Sequence, residues 1–289
     1  RAADLTPLAL GTMPTDGSAQ PFYGIEKNFF RDNGFDVQLS LLNNTASLAA
    51  AVASGSLAIG FGSVIPLAQA HLRGLEFRVI APATIYSGGA PVNTIVVGKD
   101  APYKTGKDLN NQVVAVNGLR DLSQYEMQAW LEQNGADLKT IRLIETPFSE
   151  MGAALQTGRI AAGITAEPFA TAAASVTRVI GNASEAVAHR YMVTGWFAEA
   201  AWLAKNGELA HRLQIALQQS AKYGNTNHQQ TEAILAKYTK ISPEVASKMA
   251  RSVYGETKPD PALIQPVLDL ATKYGAFAPM SASELIWNG

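Results

Sequence analysis

The sequence contains no cysteine in 289 residues, which excludes disulfides, thiolate metal sites and cysteine nucleophiles together. It has no surplus of positive charge: 23 Lys and Arg stand against 24 Asp and Glu, and no strongly basic stretch appears. Nucleic acid is therefore not an expected partner. No run of about 18 apolar residues exists, so no helical membrane span is expected. The four histidines, His71, His189, His211 and His228, lie far apart without any paired spacing. Neither a metal site nor a cofactor is expected from them. What is present in quantity is apolar: 47% hydrophobic against 16% charged, enough for a sizeable core. The length suits one large domain or two of ordinary size. The opening "RAADLTPLAL" is read as a processed or trimmed start, and the lack of cysteine fits an exported bacterial protein.

One plan is used twice. "SLAAAVASGSLAIGFGS" (47–63) echoes "EMGAALQTGRIAAGITA" (150–166), with Gly55 matching Gly158 and Gly60 matching Gly163. Upstream, "FFRDNGFDVQL" (29–39) resembles "WLEQNGADLKT" (130–140), with a two-residue insertion between the two matches. In the first copy Phe22, Ile25 and Phe29 predict one amphipathic helix closed by Asn33-Gly34, followed by the strand "FDVQLSLL". A short helix starts at Thr45, "SLAIGF" is a buried strand, and Ser63 caps the next helix. The second copy reads strand "VVAV", helix from about Asp121, strand "IRLIE", helix from Ser149, strand "IAAGI". Strands alternating with helices predict a parallel α/β sheet, and two copies predict two α/β lobes. Ser87 to Pro91 is linker by composition, and a return crossing falls near residues 186–195. The expected boundaries are residues 1–87 with 190–289 for lobe I, and 88–189 for lobe II. Beyond the return, Leu209, Leu213 and Leu217 fit one helix, Val245, Met249 and Val253 a second, and Val267, Leu270 and Tyr274 a third, packing back on lobe I.

In open α/β sheets, ligands bind beyond the carboxyl ends of the strands, where helix N-termini offer free N–H groups. Two hinged lobes can close such edges over one small molecule. The repeat makes Ala166 equivalent to Ser63, so Glu167 stands on the cleft rim of lobe II.

The segments "GIEKNFFRDNGFDVQL", "ASLAAAVASGSLAIGFGSVIPL", "RGLEFRVIAP", "VVGKDAPYKTGKDLNNQVVAV", "MGAALQTGRIAAGITAEPF" and "LAKNGELAHRLQIAL" carry a resemblance. The chain resembles periplasmic substrate-binding proteins of ABC transporters, in the nitrate/sulfonate/taurine and NMT1/THI5-like branch. The resemblance implies the type II periplasmic binding protein fold: two α/β lobes joined by a hinge, with a ligand cleft between them. It further implies a periplasmic location and a small-molecule ligand, an organic anion or an aminopyrimidine-like compound. The implied protein partner is an ABC transporter permease in the inner membrane, and the chain itself is expected as a monomer.

Candidate ligand groups follow from the cleft rule and the resemblance. Met13, Pro14 and Thr15 follow the first strand; the alternative is an ordinary βα loop capped by Asp16 or Ser18. Asn44 and Thr45 sit at a helix start, as cap alone or as cap plus anion seat. Ser63 stands at the next helix start, in neither a dinucleotide fingerprint nor a nucleophile elbow. Asn117 and Arg120 lie at the lobe II counterpart of the first loop. There Arg120 could clamp a carboxylate or sulfonate, or pair at the surface with Asp121 or solvent. Glu167 either accepts N–H bonds at its own helix start, with Pro168 at the first helical position, or accepts from a ligand donor. Tyr86, Trp196 and Phe197 could stack on a planar solute or belong to the core. The resembling family has an enzymatic branch with a cysteine-rich motif, which this chain lacks; no nucleophile, base and orienting group stand out together. The reading is a binding protein that captures a small organic anion, a sulfonate or aromatic carboxylate with or without an amino or hydroxyl donor; the alternatives are an enzyme of the same bilobal fold acting on a small planar carboxylate and a detached ligand-sensing domain.

Overall fold

The computed structural model describes residues 5–289. The chain begins with β1 (Thr6–Thr12), β2 (Phe35–Leu41), β3 (Gly60–Gly62), β4 (Phe77–Pro82) and β5 (Thr84–Tyr86). It continues with β6 (Asn93–Gly98), β7 (Val113–Val116), β8 (Arg142–Glu145), β9 (Ala162–Ala166) and β10 (Thr177–Asn182), then β11 (Tyr191–Met192), β12 (Gly195–Glu199) and β13 (Val253–Tyr254). The second group forms one sheet in the order β10-β6-β9-β7-β8, with β7 parallel to β8 and β9, and β6 antiparallel to β9 and β10. The first group has the same plan. β1 runs parallel to β2, a parallel bridge from Leu10 to Ile59 joins β1 to the β3 edge, and β12 runs antiparallel between β3 and β4. The order β2-β1-β3-β12-β4 thus matches β8-β7-β9-β6-β10 strand for strand.

The sequence echo marks this duplication at its turns. Gly34 and Gly135, each after an Asn, adopt φ of 84° and 82°, and Gly55 and Gly158 adopt 78° and 70°. These are left-handed helix ends that glycine reaches without steric cost. Between the echoes the copies differ: β2 starts directly after Gly34, whereas a 3-10 turn at Leu138–Thr140 precedes β8.

Two of the predicted helices are shorter. Phe22 and Phe29 belong to separate helices, Gln20–Glu26 and Phe29–Asp32, because Asn28 between them takes φ 61°. The helix after Ser242 ends at Lys248, so Val253 is not helical. It lies in β13, because Arg251, Ser252 and Tyr254 are drawn to the buried Asp16. Arg251 Nε donates to Asp16 Oδ1 at 3.0 Å, Ser252 N to Oδ2 at 2.5 Å, and the Tyr254 hydroxyl to the Asp16 carbonyl at 2.6 Å. An unpaired buried carboxylate is costly, and these donors satisfy it.

The two chain crossings lie side by side. β5 leads into the Ser87–Pro91 segment, β11 returns antiparallel to β5, and β13 covers its other edge. The helix Gly207–Thr226 packs back on Gln20–Glu26, and the next helix, His228–Thr239, stacks Tyr238 on Phe22 at 4.6 Å between ring centroids. Burying a ring such as Phe22 contributes roughly 2–3 kcal/mol.

Candidate functional site

Strand ends and helix starts of both lobes meet in one cavity. From lobe I come Met13, Thr15, Thr45, Phe61, Ser63 and Thr84; from lobe II come Asn93, Asn117, Asp121, Ser123 and Glu167; Thr194 and Ser252 close the side. The lobes touch across it. Ser63 Oγ donates to Asp121 Oδ1 at 2.5 Å, Asn117 Nδ2 donates to the Asn43 carbonyl at 3.1 Å, and Asp16 N donates to the Glu167 carbonyl at 2.9 Å. The arrangement is a closed cleft. The remaining cavity is about 70 Å³, counted as room for the centres of water-sized atoms. One water needs roughly 10–15 Å³ on that measure, so the space suits a molecule of a few heavy atoms.

Each wall has a local cause. Ser63 caps the helix Val64–His71 by accepting from Ile65 N, and Asn44 caps Thr45–Ala53 by accepting from Ser47 N. Gly62 lets β3 pass the start of that second helix: a Cβ there would lie 2.2 Å from Thr45 Cγ2. Asp121 caps the helix Leu122–Gln133 through Leu122 N at 2.7 Å. Asn117 holds the next helix start by accepting from Phe148 N. The helix N-termini at the cleft therefore already carry side-chain acceptors.

The charge in the cleft is acidic. Burial raises the Asp121 carboxyl above the usual range, opposed by its bonds from Ser63 and Leu122. Burial likewise raises Glu167, opposed by Thr171 and by the Ala250 amide. Among the described residues lining the cavity there is no Lys, Arg or His. The nearby guanidinium of Arg251 is committed to Asp16.

Six of the twelve residues singled out in the sequence line the cavity: Met13, Thr15, Thr45, Ser63, Asn117 and Glu167. Pro14 lies beside it in a smaller recess with Asn43, Phe148 and Phe169. Asn44 stands behind Thr45 as a cap. Glu167 performs the cap function, accepting from Thr171 N at 3.1 Å and Thr171 Oγ1 at 2.9 Å, while also facing the cavity. Pro168 follows it through a cis peptide bond and is the cap position, not the first helical residue, of Phe169–Ala172.

The other four do not line the cavity either. Arg120 is exposed with φ 60°, and its carbonyl accepts from Gln69 Nε2 across the lobes; its guanidinium is not in the cleft wall. Tyr86 is buried in the hinge, where its hydroxyl donates to Glu185 and its ring meets Tyr191. Trp196 is buried behind Phe61, with Nε1 donating to Gln20 at 2.6 Å. Phe197 packs on Phe77 in the lobe I core.

Sequence reasoning passed over Asp121 as a wall residue, although its place before a helix was visible. It also passed over Asn93 and Thr84, which flank the first crossing, and Ser252, which lay in a misread helix.

Fold and cleft together define the class: this is the type II periplasmic binding protein fold, with a cleft between two lobes. The NMT1/THI5 like family model matches residues 17–231, and the chain belongs to that family. No curated protein matches the chain by sequence. Among solved structures it is similar to a ligand-binding component of an ABC-type import system from Staphylococcus aureus with zinc bound. The TM-score is 0.82 at 17% identity, covering 98% of this chain and 96% of that one. It is also similar to the periplasmic aliphatic sulphonate binding protein SsuA from Escherichia coli, with TM-score 0.76, 18% identity, and 98% and 92% coverage. The desulfurization enzyme DSZB shares the architecture, with TM-score 0.73, 14% identity, and 97% and 96% coverage. At these identities the likeness carries the fold alone. Among the described residues no group of three His, Asp or Glu is placed to hold a metal ion.

Proposed function

We propose that the chain is the periplasmic solute-binding component of an ABC importer, closing on a small hydrogen-bond-donating solute and presenting it to a permease. Lobe I is taken as residues 1–87 and 190–289, and lobe II as 88–189. The import role is supported by family membership and by the printed roles of the binding proteins that share the fold. The observation that carries the ligand class is the pair of acids, Asp121 and Glu167, in a cavity whose described lining holds no basic side chain. Desolvated carboxylates of this kind are satisfied by amino, amidinium or hydroxyl donors. This moves the expectation from an organic anion toward an aminopyrimidine-like or amidine solute, because Arg120 is not there to pair an anion. A zwitterion is the second reading, with its anionic end on the hydroxyls of Thr15, Thr45 and Ser63.

Binding without chemistry is the favoured mode. The cavity pairs hydroxyls with acids and includes no histidine or lysine among its described residues to act as base for a nucleophile. A thermal-shift panel of 4-aminopyrimidine, acetamidine, taurine, methanesulfonate and nitrate tests the reading. A binder at about 100 times its Kd adds about 2.7 kcal/mol. The expected result is a shift with the amine and amidine compounds and recovery of unchanged ligand. A shift with nitrate or methanesulfonate alone would reject the donor class.

A further inference from the structure

Glu126 is buried on the helix Leu122–Gln133 and stands outside the cavity lining. Its two oxygens are both used. Asn93 Nδ2 donates to Oε2 at 2.7 Å, and the Tyr191 hydroxyl donates to Oε1 at 2.8 Å. Asn93 opens β6 just after the first crossing and lines the cleft. Tyr191 opens β11 at the second crossing, opposite Tyr86 of β5. The Asn93 backbone is also fixed, since Val92 N and Asn93 N both donate to Ser184 Oγ. A carboxamide has one donating and one accepting end. Glu126 occupies the donating end, which leaves the oxygen for the cleft.

We propose that Glu126 is a positioning residue for the ligand: it holds the Asn93 carboxamide with Oδ1 turned to the cleft as an acceptor, and it ties that seat to the second hinge crossing through Tyr191. The lobe II wall then reads solute donors at three places, Asn93, Asp121 and Glu167. The assignment of Asn93 to a solute donor rests on the function proposed above; the orientation of the amide does not. Burial pushes Glu126 up to about 7, so its charge changes near neutrality. The titratable groups facing it are Tyr191 from β11 and Asp121 from its own helix, while β6 offers only the uncharged Asn93. Protonation replaces a charge-assisted bond to Asn93 with a weaker neutral one.

The test needs no ligand. In the whole chain labelled with ¹⁵N-asparagine, the Asn93 side-chain amide is assigned from its loss in Asn93→Asp. One of its protons is expected to exchange at least about tenfold more slowly than those of the exposed Asn111, because it is buried in a bond to a carboxylate. Its shifts should follow a single titration near neutral pH, and Glu126→Gln should abolish that titration. Exchange as fast as Asn111, or the same titration in Glu126→Gln, overturns the proposal.

A swap gives a second measurement that survives poor folding of either single variant. When Asn93→Asp is combined with Glu126→Gln, the carboxamide placed on the helix can donate to the carboxylate placed on β6 and still accept from Tyr191. The bond is restored with reversed polarity. The urea midpoint of the double variant is expected to recover most of what each single variant loses. Additive losses would show that the two residues act independently and would overturn it. If no compound of the panel binds the unaltered protein, the ligand class fails while both measurements remain decisive for the hold of Glu126 on the Asn93 amide.

Discussion

The cleft edge of lobe I carries hydroxyls, from Thr15, Thr45, Ser63 and Thr84, whereas the edge of lobe II carries amides and acids, from Asn93, Asn117, Asp121 and Glu167. The strands beneath have the same order and direction in both lobes. Each lobe also has a buried acid beside its first loop, and the two are treated differently. Asp16 in lobe I is paired with Arg251 at 3.0 Å. Asp121 in lobe II has only neutral donors, Ser63 and Leu122 N, and faces the cavity. The shared sheet therefore sets where groups converge, and the edge loops set what they can bind. An acid already paired with a cation is structural; an acid held by neutral donors retains its demand for a positive or donating partner.

The strongest way to break this contrast is to remove the cation from the paired acid. Arg251→Met should destabilise the chain by about 3–5 kcal/mol, because Asp16 is left as a buried, uncompensated charge. Urea unfolding measures it. Asp121→Asn, which removes no cation, should cost far less; equal losses would abolish the distinction between the two acids.

Acidity next separates the buried acids from the acids paired with cations. Glu126 has its value raised to about 7, above the roughly 4.3 of an unfolded glutamate. The native state therefore binds the extra proton in that window. Its contribution is present below the unfolded value and is lost as pH rises through about 7. The size is on the order of 3 kcal/mol. Asp121 and Glu167, also raised by burial, act in the same direction. Acids lowered by partners, such as half-buried Glu26 beside Lys237 and exposed Glu132 beside Lys273, act oppositely and lose their contribution as pH falls through the acid range. Urea midpoints should therefore rise from about pH 8 to about pH 5.5 and fall at lower pH. Glu126→Gln should flatten the upper limb. A midpoint that climbs steadily with pH would contradict the burial of these acids.

Asp121→Ala comes third in stability. It removes a helix cap worth about 1 kcal/mol together with the bond from Ser63 across the cleft. For binding its effect should be larger, a loss of at least about tenfold for an amine or amidine ligand, since one charge-assisted bond exceeds 1.4 kcal/mol. Ala substitution at Ser63, on the hydroxyl wall, should weaken the same ligand less. Calorimetry on both variants compares the two walls directly.

The duplicated sheet was legible because turn chemistry and strand ends repeat: the Asn-Gly pairs, Gly55 with Gly158, and the caps at Ser63 and Asp121 all stand where local rules put them. Those rules act within a few residues. The contacts that misled the reading act over long distances. Arg251, Ser252 and Tyr254 leave the helical pattern because Asp16, more than 200 positions earlier, collects their donors. Arg120 looked like an anion clamp by charge alone, yet its loop turns it outward while Asp121 turns in. Trp196 and Phe197 sit beyond the crossing as expected, but β12 is a central strand between β3 and β4, and both rings are buried in the packing on the sheet, against Phe61 and Phe77. Chain proximity to the cleft was readable; the direction in which each side chain points was not.

Glu167 joins both halves of the contrast, since it caps Phe169–Ala172 and also faces the cavity. Glu167→Gln keeps an oxygen for the Thr171 amide while removing the charge, so its stability cost should stay within about 1 kcal/mol. The helix is only one turn long, and its cap has little cooperative structure to support. Raised by burial, Glu167 also sheds a desolvation penalty when it becomes neutral, which offsets part of the loss. Binding is where the substitution speaks. If the carboxylate holds a solute donor, affinity for 4-aminopyrimidine or acetamidine falls with little change in the urea midpoint. If it serves only its own helix, affinity is unchanged, and the acidic reading of the lobe II wall narrows to Asp121 with the amide of Asn93 beside it.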